Sequence, residues 1–135
     1  MDKNHNLVAS NLSRRILVAE DMSSISSLLL DILEENGYEV LGPVTTCVDA
    51  EKLIAASHLD AALLDVHLAD GVSYSVASLL VAHNLPFAFL SGEQLRQLPS
   101  EFHNRPAIEK PMSFDSILKT VEMLCASSMH RDTIG

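Results

Sequence analysis

The stretch Arg15-Ile16-Leu17-Val18-Ala19-Glu20-Asp21 decides the fold: a short apolar run that stops at two adjacent carboxylates. The pattern returns downstream. Ala61-Ala62-Leu63-Leu64 stops at Asp65, Phe87-Ala88-Phe89-Leu90 stops at Ser91, and the run Ala107 to Glu109 is followed by Lys110. A short apolar run without alternation reads as a strand buried on both faces, the kind found in parallel sheets covered by helices. In such sheets the binding groups collect at the carboxyl ends of the strands. The runs therefore define a sheet and, at one edge of it, a site.

The segments between the runs read as helices. Ser23 or Ser24 is positioned to cap a helix whose stripe Ile25, Leu28, Leu29, Ile32, Leu33 follows helical spacing, and Asn36-Gly37 ends it. A strand at Glu39 to Leu41 meets Gly42-Pro43, and Asp49 to Ser57 forms a second helix packing Ala50, Leu53 and Ile54. The turn His67 to Gly71 leads to a third helix near Ser73 to His83, stopped by Asn84 and Pro86. Glu93 to Leu98 offers a turn or two of helix before Pro99 cuts it, and Asn104-Arg105-Pro106 reads as loop. Ser113 caps a last helix with the stripe Phe114, Ile117, Leu118, Val121, Leu124, Cys125. Alternating βα units with right-handed crossovers predict an α/β fold, doubly wound, with a five-stranded parallel sheet and helices on both faces. One domain over 14–128 is expected, with a polar arm at 1–13, a tail at 129–135, and no output domain attached.

Composition narrows the function. The formal charge is −9, and Lys and Arg are scattered, so no basic stripe is available for DNA or RNA phosphates. No apolar stretch approaches the roughly 20 residues that cross a bilayer, and the first residues lack the apolar core of a signal peptide; no membrane association and a cytoplasmic location are expected. Cys47 and Cys125 are far apart and read as small buried hydrophobes, and the six histidines form no ligand pattern.

The carboxylates carry the chemistry. Glu20, Asp21 and Asp65 converge at one sheet edge, and carboxylates about 4 Å apart repel by roughly 4 kcal/mol per pair at an effective dielectric near 20. A cation is needed among them. Oxygen ligands of this kind suit Mg²⁺, which also accepts a phosphate oxygen as a further ligand.

Taken in order, Glu20, Asp21, Asp65, Ser91 and Lys110, with Leu63-Leu64-Asp65 and Lys110-Pro111 as the most specific pieces, resemble the receiver domain of bacterial two-component response regulators. The resemblance runs from about Arg15 to about Ser128 and implies the strand order 2-1-3-4-5. It implies that Asp21 and Asp65 bind Mg²⁺ directly, that Glu20 acts mainly through water, and that the backbone carbonyl of His67 completes the set. Asp65 is then the nucleophile that takes a phosphoryl group from a sensor histidine kinase or a phosphotransfer protein, with Lys110 and Ser91 holding the phosphoryl oxygens. The protein is thus expected to be no conventional enzyme but a phosphoacceptor that catalyses its own phosphorylation and dephosphorylation. It would signal to an unidentified downstream protein, pass the phosphoryl on, or act as a sink. The alternative is a degenerate receiver that serves only as a phosphorylation-independent interaction module. A free-standing phosphatase is disfavoured because His67 stands where its general acid would be.

Departures from the family pattern are specific. Glu20 replaces the commoner Asp, Ser91 the commoner Thr, and Ala69 the usual Pro. Ala107 stands where an aromatic usually couples phosphorylation to output, and the segment between Ser91 and Lys110 is short enough to stunt the fourth helix. Leu41-Gly42-Pro43 and Phe87-Ala88-Phe89 resemble single-domain receivers associated with sensory kinases in alphaproteobacteria. Helical geometry places Leu30 and Met123 outside their stripes; Leu30 with Met22 is expected to touch the kinase, and Met123 is a candidate homodimer contact. His67 and Glu93 are expected to overhang the acyl phosphate and control the access of water.

Overall fold

Five strands pair in parallel as β2-β1-β3-β4-β5: β1 (Arg15–Ala19), β2 (Glu39–Val44), β3 (Ala61–Asp65), β4 (Phe87–Ser91) and β5 (Ala107–Glu109). The computed structural model describes residues 13–92 and 97–134, and beyond Ser127 the backbone alone. Around the sheet lie α1 (Ser23–Glu35), α2 (Cys47–Ala56), α3 (Tyr74–Ala82) and α4 (Phe114–Ile134). The expected fold and strand order are those observed.

Side chains that alternate along each strand divide between two cores. Leu17, Ala62, Leu64, Phe87 and Phe89 face α2 and α3, meeting Ala50, Ile54, Val76 and Leu80. Ile16, Val18, Leu63, Ala88 and Leu90 face α1 and α4, meeting Leu29, Leu33, Ile117 and Val121. The central strands β1, β3 and β4 are buried almost throughout because both their faces are covered. No helix among the described residues is long and apolar enough to cross a membrane.

Several local readings are corrected. β2 runs through Gly42-Pro43 to Val44, where the sequence suggests a stop. Register explains this: Leu17 pairs with Leu41 and Ala19 with Val44, so β2 carries an extra residue opposite Val18. Edge strands tolerate such a bulge and a proline within it. Gly42 suits it, with φ +101° and an added Cβ falling 2.8 Å from both Val18 O and Val44 N.

On α1 the buried arc centres on Leu29, Ile32 and Leu33, while Leu28 is 44% exposed and Leu30 is half-buried. The helix is rolled toward the Leu30 side relative to its apolar stripe, because α1 packs against α4 as well as against the sheet. Neither Ser23 nor Ser24 caps it; Met22 occupies that position, without a side-chain bond. α2 starts earlier than Asp49, capped by Thr46, whose side chain accepts from Asp49 N–H at 3.1 Å. Ser113 does cap α4, its Oγ accepting from Ser116 N–H at 3.0 Å. The α4 backbone continues to Ile134, into the stretch expected to be a tail, and Phe114 is 55% exposed although it belongs to the apolar stripe.

Glu93 to Arg96 lie outside the described residues, as do residues 1–12 of the expected arm at 1–13. In the described part of the β4–β5 connection, Ser100–Phe102 form a 3₁₀ turn. Phe102 is 2% exposed and packs edge-on against Phe89, ring centroids 5.8 Å apart. Ala107 packs against the same cluster, so Phe102 supplies aromatic bulk that Ala107 lacks.

Candidate functional site

The site is assembled by strands that end together. β1 delivers Glu20, whose N–H donates to Val44 O at 2.9 Å and whose side chain is buried, with Oε2 accepting from Met22 N–H at 3.1 Å. Asp21 follows and is exposed. β3 delivers Asp65, 7% exposed, with Oδ1 accepting from His67 N–H at 3.3 Å. β4 delivers Ser91 and the chain after β5 delivers Lys110, joined by a bond from Lys110 N–H to Ser91 O at 2.8 Å.

Carboxylate oxygens of Glu20, Asp21 and Asp65 lie within 4.8 Å of one another. The Lys110 ammonium donates to Asp65 Oδ2 at 2.9 Å and stands 3.2 Å from Glu20 Oε1. One ammonium cannot neutralise three carboxylates. Burial is the main reason that the Glu20 carboxyl is pushed up to about 7, and its hydrogen bond with Asp65 and the Asp65 charge push the same way. For Lys110, burial alone would lower the pKa. The hydrogen bond and charge of Asp65, with the charge of Glu20, outweigh it and raise the pKa.

The buried Ser91 Oγ finds no hydrogen-bond partner among the described residues, and the buried Glu20 Oε1 has no well-aligned one, only the shared Lys110 ammonium at 3.2 Å. A buried polar atom left unpaired is costly, so Ser91 points to a group that the folded chain accommodates, as does the negative charge that one lysine leaves at the carboxylates. The donors are hard oxygens and the uncompensated charge is negative, which fits a small divalent cation at the carboxylates and an oxyanion at Ser91.

All the residues expected at the site are thus brought together except Glu93, which lies outside the described residues. His67 has an exposed side chain on the turn leaving β3. That turn closes as a two-residue antiparallel ladder, His67 opposite Val72 and Leu68 opposite Gly71. Ser73 is a positioning group that sequence reasoning missed: fully buried, it donates from Oγ to Asp65 O at 2.6 Å. The sequence puts Ser73 at the start of a helix, but nothing local ties it to Asp65.

No family model matches the chain. The transcriptional regulatory protein PdtaR of Mycobacterium tuberculosis is 26% identical over 114 residues, which cover 82% of this chain and 56% of PdtaR. The chain thus spans little more than half the length of that curated relative. Among solved structures, SdrG of Sphingomonas melonis Fr1 is 34% identical, with 83% of this chain and 96% of SdrG covered and a TM-score of 0.74. The non-phosphorylated HemR receiver domain of Leptospira biflexa is 30% identical, with 84% of this chain and 94% of that domain covered and a TM-score of 0.73. With this fold, these carboxylates at its strand ends and these relatives, the chain belongs to the receiver domains of two-component response regulators.

Proposed function

We propose that the protein is a cytoplasmic phosphoacceptor that takes a phosphoryl group onto Asp65 from the phosphohistidine of a sensor kinase or phosphotransfer protein and conveys the signal through protein contacts. The observation that carries this reading is the Asp65 carboxylate, held at the end of β3 with Oδ2 2.9 Å from the Lys110 ammonium and the unpartnered Ser91 hydroxyl on the neighbouring strand. A carboxylate oxygen attacks phosphorus, the bond to the donor nitrogen breaks, and an acyl phosphate forms. Lys110 offers its N–H groups and Ser91 its hydroxyl to the phosphoryl oxygens, where charge builds up. Glu20, Asp21, Asp65 and the His67 carbonyl would hold Mg²⁺, which when bound supplies the charge neutralisation that the single lysine does not. Three carboxylates, one ammonium and a divalent ion sum to zero, so an incoming phosphoryl meets no net repulsion. Incubation with acetyl phosphate and Mg²⁺ should add one phosphoryl to the intact mass. A protein that gains none, with Mg²⁺ in excess, is not a phosphoacceptor.

The kinase contact moves from Leu30 to Leu28, because Leu28 and Met22 are the exposed apolar residues on and beside α1. Truncation of a central apolar contact costs on the order of 1–2 kcal/mol. Leu28→Glu should therefore slow phosphotransfer from the cognate kinase about tenfold. Labelling by acetyl phosphate should be unaffected. Equal kinase transfer by Leu28→Glu and wild type would exclude this face.

His67 lies two residues beyond Asp65 with an exposed side chain, which supports reading it as the group that overhangs the approach of water to the acyl phosphate. His67→Gly should speed phosphoryl loss several-fold, equivalent to roughly 1 kcal/mol of barrier. The rate is measured after removing the phosphodonor; an unchanged or slower loss would show that the imidazole does not shield the bond.

A further inference from the structure

Asp70 joins two segments that are far apart in the chain. Its Oδ1 accepts from Cys47 N–H at 2.7 Å and its Oδ2 from Val48 N–H at 3.3 Å, so a carboxylate from the turn after β3 satisfies two of the free donors at the start of α2. The third, Asp49 N–H, goes to Thr46 Oγ1 at 3.1 Å. Beside this cap, Ala69 N–H donates to Thr45 O at 2.9 Å. Bonding to Cys47 N–H lowers the Asp70 pKa, as expected of a carboxylate that accepts backbone donors at a helix amino end. Asp70 is exposed, so its fixed position owes little to burial.

The turn has further anchors, of unequal strength. Its last tie to the sheet, Val66 N–H to Leu90 O, is 3.4 Å long. Ser73 secures the base of the turn, with Oγ to Asp65 O and N–H to Val66 O at 2.9 Å. The far side is fastened to the body of the protein by the buried Leu68 side chain, by Cys47 Sγ–H donating to Val72 O at 3.5 Å, and by the backbone and carboxylate bonds of Ala69 and Asp70.

We propose that Asp70 is a positioning residue for the Asp65 site: by capping α2 it holds the turn so that the His67 peptide is already in place when a cation and a phosphoryl group arrive. This rests on the phosphoacceptor reading above. A loosened turn must be ordered on binding, and that ordering subtracts from affinity.

Two measurements test it: Mg²⁺ affinity by titration calorimetry, and hydrogen exchange of the Ala69 amide in cation-free protein. Asp70→Ala should weaken Mg²⁺ binding about tenfold, the lower end of what loss of a group that orients a metal ligand costs. The Ala69 amide should exchange faster in the same variant. Asp70→Asn has the same charge as the alanine variant but keeps an oxygen for Cys47 N–H, and it should recover most of the affinity. Thr46→Ala removes the other cap of α2 without touching the turn, so it should loosen the helix and leave Mg²⁺ binding near that of wild type. The proposal is overturned if Asp70→Ala binds Mg²⁺ as wild type does, or if Thr46→Ala weakens binding equally. A wild type that binds Mg²⁺ but takes no phosphoryl group overturns the phosphoacceptor reading instead.

Discussion

Asp65→Asn takes up no phosphoryl group under conditions that label the wild type fully. Two features lead to this expectation. Asp65 is the carboxylate within 2.9 Å of the Lys110 ammonium, and it sits on the central strand beside the unpartnered Ser91 hydroxyl. Asn keeps the shape and one acceptor oxygen, but an amide is a poor nucleophile toward phosphorus. Glu20 and Asp21 belong to the same cluster, yet their negative charge is what would hold the cation, so neither is expected to substitute as acceptor. Acid-stable, base-labile label on the wild type, and none on Asp65→Asn or on wild type in excess chelator, is the expected result. Comparable label on the variant would place the acceptor elsewhere; label in chelator would remove the cation from the mechanism.

The second large effect is on stability. In the absence of a divalent cation, the Glu20 carboxyl is raised from 4.5 to about 7, burial being the main cause. Between those pH values the folded protein holds a proton that the unfolded chain has released. Folding therefore gains from low pH: the contribution is fully present below about 4.5 and is lost as pH rises through about 7. The shift corresponds to at most about 3 kcal/mol, or a fall in Tm of roughly 5–10 °C across the window. Thermal melts in chelator from pH 5 to 8 should show this fall. Glu20→Gln should flatten it, and saturating Mg²⁺ should restore stability at the alkaline end, because a bound cation does for the ionised cluster what the proton does at low pH. A wild-type melting temperature that is level with pH in chelator, or equally steep in Glu20→Gln, would show that Glu20 does not carry the linkage.

Much of this was legible from local pattern. The boundaries of β1 and β3 were read to the residue, because a short apolar run bounded by polar groups has one comfortable conformation in a doubly covered sheet. Asp65, Ser91 and Lys110 were readable as a set because each directly follows or ends such a run. Gly42-Pro43 misled because glycine and proline usually punctuate strands; the bulge that absorbs them depends on the register of β1 beside β2. Leu28 and Leu30 traded places because a stripe fixes the hydrophobic arc of a helix only to within a residue's rotation, and packing against α4 settles the remainder.

The amino-acid sequence by itself determined the alternation of strands and helices, the two buried faces, and which chemical groups end the strands, since all of these follow from spacing within a few residues. Tertiary structure alone decided the bulge of β2 beside β1, the meeting of Glu20 with Lys110, the elevation of the Glu20 pKa, the tie from Ser73 to Asp65, and the cap that Asp70 places on α2. Each of these is a contact between segments distant in the chain, and its energy depends on burial and on distances that exist only once the sheet has closed. Periodicity reports the side on which a residue lies; only packing reports what it lies against.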